Sequence, residues 1–152
     1  MDTRYTHDES VEVLLERANA FYDGEHGQEC RGEAYNIYTR IVSLDPNHAF
    51  AINRIANCYN NGIGVDVDED YAMVLYRRAA ELGLSAAQYN LADSLKKRND
   101  PECIDWYIKA YENGDPDAPY HLARIYLAGE IVPRNNPLGI EYWRIYNTSA
   151  TV

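Results

Sequence analysis

Apolar and small residues recur along this chain at three- and four-residue intervals. One run is Ile52, Ile55, Ala56 and Tyr59; the next is Ala72, Leu75, Tyr76, Ala79, Ala80 and Leu82. That spacing gathers them on one side of a helix. Extended over the sequence, it predicts eight helices. First helices fall near 10–23, 48–60, 86–97 and 117–128, and second helices near 30–43, 69–82, 101–113 and 136–147. The breaks carry turn chemistry: Asp45-Pro46-Asn47, Gly62-Ile63-Gly64, Asn113-Gly114-Asp115-Pro116 and Pro133 to Pro137. Glycine recurs where the chain leaves a helix, the place for left-handed backbone.

The pattern is periodic. Ile55-Ala56-x-x-Tyr59-x-x-Gly62 returns as Leu91-Ala92-x-x-Leu95 and as Leu122-Ala123-x-x-Tyr126-x-x-Gly129. Upstream it reads Arg17-Ala18-x-x-Phe21-x-x-Gly24. The second helices share a frame too. Ala72, Tyr76, Ala79 and Gly83 correspond to Cys103, Tyr107, Ala110 and Gly114; Ala34, Tyr38 and Ile41 fit upstream, and Gly139, Trp143 and Tyr146 fit downstream. A small residue at 18, 56, 92 and 123 lets two helices approach closely, and the bulky side chain three positions on fills the groove beside the contact. One helix pair cannot bury its own apolar face, but stacked pairs can.

On these residues the middle of the chain resembles Sel1-like repeats, a subtype of the tetratricopeptide superfamily. The best match is Ala51 to Gly83, including Tyr59, Gly62, Gly64, Val65, Asp70, Ala72, Tyr76 and Ala79. Three departures stand out: Arg98 where glycine is usual, and Gly139 and Tyr146 where alanines are usual. The first unit, ending Ser43 to Asn47, looks more like an ordinary tetratricopeptide repeat. The resemblance implies an all-α solenoid of four helix-turn-helix repeats forming a superhelix. The expected domain is 10–147, with units near 10–47, 48–85, 86–116 and 117–147 and tails at 1–9 and 148–152.

Composition changes the picture in two ways. Tyrosine appears 14 times against 2 Phe and 2 Trp, which suits many half-buried positions whose hydroxyls need partners. The net charge of −10 argues against nucleic acid and anionic membranes and favours a basic protein partner. The opening MDTRYTHDES has no apolar signal segment, and no run approaches the ~20 apolar residues of a membrane span. Cys30, Cys58 and Cys103 are odd in number and far apart, and no export signal is visible. Reduced thiols and a cytoplasmic location are expected.

Candidate chemistry is thin. Asp66, Asp68 and Asp70 alternate like calcium ligands, but the sixth residue of such a loop would be Tyr71, not glycine, and the twelfth is Arg77, not glutamate. The acids read instead as capping groups at a helix start. His26 and Cys30 alone do not make a zinc site. No nucleophile–base arrangement or phosphate loop can be read from spacing. The expectation is a non-enzyme with no catalytic residue, metal or cofactor.

In tetratricopeptide-like arrays the first helices line a concave face, which the resemblance implies here. Helical intervals place Phe50, Asn53, Asn57 and Asn60 away from the apolar face of 48–60. Repeat offsets add Asn19 and Tyr22, then Tyr89, Asp93 and Lys96, then Tyr120 and Arg124. Asparagine amides both donate and accept, so such a stripe can hold the main chain of a peptide. The expected function is a protein-interaction adaptor; the alternative is a small acidic inhibitor or immunity-type protein covering a basic target. The apolar residues of 136–147 cannot all face the preceding unit, which predicts a homodimer or partner contact there.

Overall fold

The computed structural model describes residues 9–23 and 31–149. The expected tail residues 1–8 and 150–152, and His7, His26 and Cys30, lie outside them. Among the described residues there are eight α-helices and no strand: α1 (Val11–Asp23), α2 (Arg31–Leu44), α3 (Ala49–Asn61), α4 (Glu69–Glu81), α5 (Ser85–Lys97), α6 (Cys103–Glu112), α7 (Ala118–Ala128) and α8 (Asn136–Ser149). These are the eight helices the periodicity predicts, with ends shifted by a residue or two. The chain divides after Arg78 into two compact units, a division that runs through α4 and not between repeats.

In the first unit α1 packs on α2 and α2 on α3. Ala18 and Ala56 are fully buried, as the close-contact role demands. Leu14, Ile37, Tyr38, Ile41 and Ile52 fill the space around them, each at most 1% exposed. Burying an aliphatic side chain of this size contributes about 1.5–3 kcal/mol. The turn after α3 answers the question of the alternating aspartates. Gly62 adopts φ 68° and returns its N–H to the Cys58 carbonyl, closing α3. Asp68 Oδ1 then accepts the Tyr71 N–H at 2.9 Å, so this acid caps α4. Gly64 comes so close to Gly32 that an added Cβ would lie 2.8 Å from its Cα.

In the second unit α5 packs on α6, α6 on α7 and α7 on α8. Ala92, Ala110 and Ala123 are fully buried, and Cys103 takes the place of Ala72 with equal burial. Asn99, at φ 56°, supplies the left-handed residue where the glycine is missing. Gly139 has a packing reason: a Cβ there would meet Leu127 Cγ at 2.7 Å and the Ala123 carbonyl at 3.3 Å. Gln88 is a buried polar side chain with both ends occupied. Its amide donates to the Ala80 carbonyl at 3.1 Å and its Oε1 accepts from Asn113 at 2.9 Å. Leu82, expected on an apolar face, is 43% exposed because α4 has already ended at Glu81.

Candidate functional site

The stripe expected on the first helices resolves differently in the two units. In the first, the asparagines are turned inward. Tyr38 donates its hydroxyl proton to Asn19 Oδ1 at 2.7 Å, and Tyr76 donates to Asn57 Oδ1 at the same distance. These tyrosines are 0% and 4% exposed, so the amides satisfy groups that water cannot reach. Burial pushes the Tyr38 hydroxyl well above its ordinary pKa, keeping it a proton donor. Asn53, placed by spacing on an exposed face, is buried at 4%. The reason is that α3 lies inside its unit: Ala51, Ile52, Asn53, Ile55, Ala56 and Cys58 are all buried, more than one narrow stripe. Tyr22 and Phe50 flank the Arg54 guanidinium at 4.5 and 4.8 Å from the ring centroids. Asn60 reaches only its neighbour Asn61.

The second unit gathers the rest of the stripe. Tyr89, Asp93 and Lys96 on α5 meet Tyr120 and Arg124 on α7 around His121, which spacing did not single out, and Tyr107, the ring of the second-helix frame. His121 Nδ1 lies 3.0 Å from Lys96 Nζ, and its Nε2 lies 2.8 Å from the Tyr89 hydroxyl. An ammonium only donates, so Nδ1 must be the bare nitrogen and the Nε2–H donates to Tyr89. Burial first, and then the Lys96 charge, hold the His121 pKa below its ordinary value, in keeping with this neutral tautomer. The imidazole stacks on Tyr107 with centroids 5.1 Å apart and planes 2° from parallel.

Asp93 closes the network. It pairs with Lys96 at 3.1 Å and Lys97 at 3.3 Å, and accepts from the buried Tyr107 hydroxyl at 3.4 Å. Burial works against its charge, but the two lysines outweigh this and hold its carboxyl below the usual range. Burial likewise pushes the Tyr89 hydroxyl up to about 12, so it stays protonated. Arg124 is exposed, with its guanidinium 5.6 Å from the Tyr120 ring centroid and no ion-pair partner among the described residues. Lys96, His121, Arg124, Ile125, Ala128 and Glu130 line a cavity of about 220 Å³. Cationic, anionic and apolar groups therefore share one concave spot.

The missed histidine had a signal. In the repeat frame His121 stands two before Ala123, as Arg54 stands two before Ala56. Both present a flat cationic or imidazole group to an aromatic ring. Among the described residues no cluster of three or more potential metal ligands occurs. Cys58 and Cys103 are buried free thiols, raised by burial to about 12 and about 11. No helix among the described residues is long and apolar enough to cross a membrane.

Comparison with known proteins gives a consistent picture. The Sel1 repeat model matches residues 49–84, 85–115 and 116–145. The uncharacterized protein NMB1327 of Neisseria meningitidis is 34% identical over 84 residues, 55% of this chain and 18% of that one. The chain spans less than a third of the length of the curated relatives it matches. A Sel1 repeat protein from Oxalobacter formigenes superposes with a TM-score of 0.80 at 21% identity, covering 92% of this chain and 58% of that one. Immunity protein Pa5087 from Pseudomonas aeruginosa superposes at 0.60 and 22% identity, covering 97% and 56%. At such identities the two structures share the fold.

Proposed function

Because the chain belongs to the Sel1 repeat family, whose members are generally protein-interaction modules rather than enzymes, we propose that it holds a protein or peptide partner on its first helices. The observation that carries this reading is the second-unit cluster. Lys96 and Arg124 offer donors at the cavity of about 220 Å³, and Tyr89 and Tyr120 offer ring faces against its His121. Exposed aromatic and arginine side chains dominate protein interfaces because they combine large contact area with directed hydrogen bonds. Asn19 and Asn57 take no direct part, since each is held by a buried tyrosine of its own helix pair, and Asn53 is itself buried.

The test is calorimetric titration of a partner recovered by affinity purification. Arg124→Ala is expected to weaken binding by about 1.5–3 kcal/mol if the guanidinium meets a charged group. Lys109→Ala, an exposed change on α6, is expected to leave affinity unchanged. Full affinity in the double variant Lys96→Ala/Arg124→Ala would remove this cluster from consideration.

A second reading rests on the charge of −10: a small acidic inhibitor or immunity-type protein that covers a basic site on its target. It differs in requiring long-range attraction. Its association rate would fall steeply with added salt, whereas recognition of a linear peptide depends mainly on the dissociation rate.

A further inference from the structure

The second helix of each repeat carries a large ring at one equivalent place: Tyr38, Tyr76, Tyr107 and Trp143. Their exposures are 0%, 4%, 0% and 43%. The cover over Tyr107 is visible: α7 lays His121 flat against it. Among the described residues, the rings that meet Trp143 are Tyr120 at 5.9 Å and Tyr146 at 6.2 Å. Ile140, on the same face of α8 and one turn earlier, is 48% exposed. An exposed apolar pair of this size, with its ring at a position sealed in three other repeats, marks a contact surface.

The charges beside the pair say what covers it. Glu141 and Arg144 lie along one flank of the exposed face, and both are exposed. Three residues apart on a helix, they are neighbours, yet they form no ion pair with each other or with any other described residue. In an antiparallel helix pair, matching flanks face one another in opposite order. A two-fold axis crossing α8 near Tyr142 and Trp143 therefore sets Glu141 of each copy beside Arg144 of the other. The same axis brings Ile140 beside the second copy's Trp143.

We propose that α8 is a self-association surface through which two copies of this chain pair antiparallel about a two-fold axis. A two-fold contact needs a patch complementary to itself, and an acid and a base spaced evenly about the axis along one flank of an apolar face are such a patch. One helix face buries well below the ~1,600 Å² of a standard interface, so the dimer is weak, with a dissociation constant on the order of 100 µM.

Sedimentation equilibrium of the whole chain tests this, over about 10 µM to 1 mM at low salt. The mass is expected to rise from monomer toward dimer. Glu141→Arg and Arg144→Glu should each weaken association several-fold, because like charges then face each other. An equimolar mixture of these two variants should associate as well as the parent, since every charge again meets its opposite. Both positions are exposed and unpaired, so melting curves should show both variants folded. A monomer throughout the range overturns the proposal. So does a dimer indifferent to both charge reversals, or one that the mixture fails to restore.

Discussion

Asn57 accepts a hydrogen bond from a tyrosine that is 4% exposed, and this changes what the residue is for. Read on a helical wheel, a polar residue next to Ala56 belongs to solvent. Beside a second helix, it is within reach of the ring that fills the groove next to the small residue. Asn57→Ala removes the acceptor 2.7 Å from the Tyr76 hydroxyl and is expected to destabilise the chain by about 1–3 kcal/mol. Adding Tyr76→Phe removes the donor of the same bond, so the double variant should lose less than the two single losses summed. Urea unfolding of the four proteins in this cycle measures it; additive losses would mean that the bond contributes nothing. Asn19 with Tyr38 and Asp93 with Tyr107 repeat the arrangement, so three of the residues read as a binding stripe are braces within their own helix pairs.

The helices themselves were legible because their evidence is local. Intervals of three and four residues, the alanines at 18, 56, 92 and 123, and glycines after α3 and α7 each report on a single segment or a single contact. Less legible was what depends on two segments at once. The burial of Asn53 follows from how α3 sits within its unit, which no property of α3 alone predicts. His121 meets Lys96 and Tyr89 across separations of 25 and 32 residues, distances set by the repeat and not by any motif. Gly139 looked like a departure from the repeat, yet it is where α7 leaves α8 no room for a Cβ. Gly139→Ala should therefore cost about 1–3 kcal/mol despite alanine's better helix propensity. A chemical-denaturation midpoint equal to or above that of the parent would show that Leu127 can move aside.

The joint between α5 and α7 also makes stability depend on pH. Unfolded His121 takes a proton as pH falls through about 6.5. Folded, it resists protonation to lower pH, because it is buried and its Nδ1 faces the Lys96 ammonium. Between those two points the unfolded chain binds more protons, so stability falls as pH falls. The full contribution is present above about pH 6.5. Asp93 acts in the same direction, but its carboxylate stabilises the fold above about pH 4 and is lost lower, outside this window. Thermal melting at about pH 7.5 and 5.5 should show a drop in the parent that His121→Gln reduces. An equal drop in both would place the acid sensitivity elsewhere.

Taken whole, the chain is strongly acidic, yet two cationic side chains line a small cavity in the second unit, and the two features act at different ranges. The charge of −10 acts over roughly a Debye length, about 10 Å at ordinary ionic strength, before any contact forms. The Lys96 and Arg124 side chains act only on touching. For a basic partner, the association rate should fall by about tenfold or more as salt is raised toward physiological levels, with the dissociation rate changing far less. Neutralising Asp66 and Glu69, both exposed near the start of α4, should slow association and leave dissociation nearly unchanged. Arg124→Ala should do the reverse, since its loss is felt only in the formed complex. Surface-bound kinetics over a salt series separates the two. If Asp66→Asn/Glu69→Gln speeds dissociation as much as Arg124→Ala does, the acidic turn is itself in contact with the partner. The chain would then act by covering a basic site with its acidic turn.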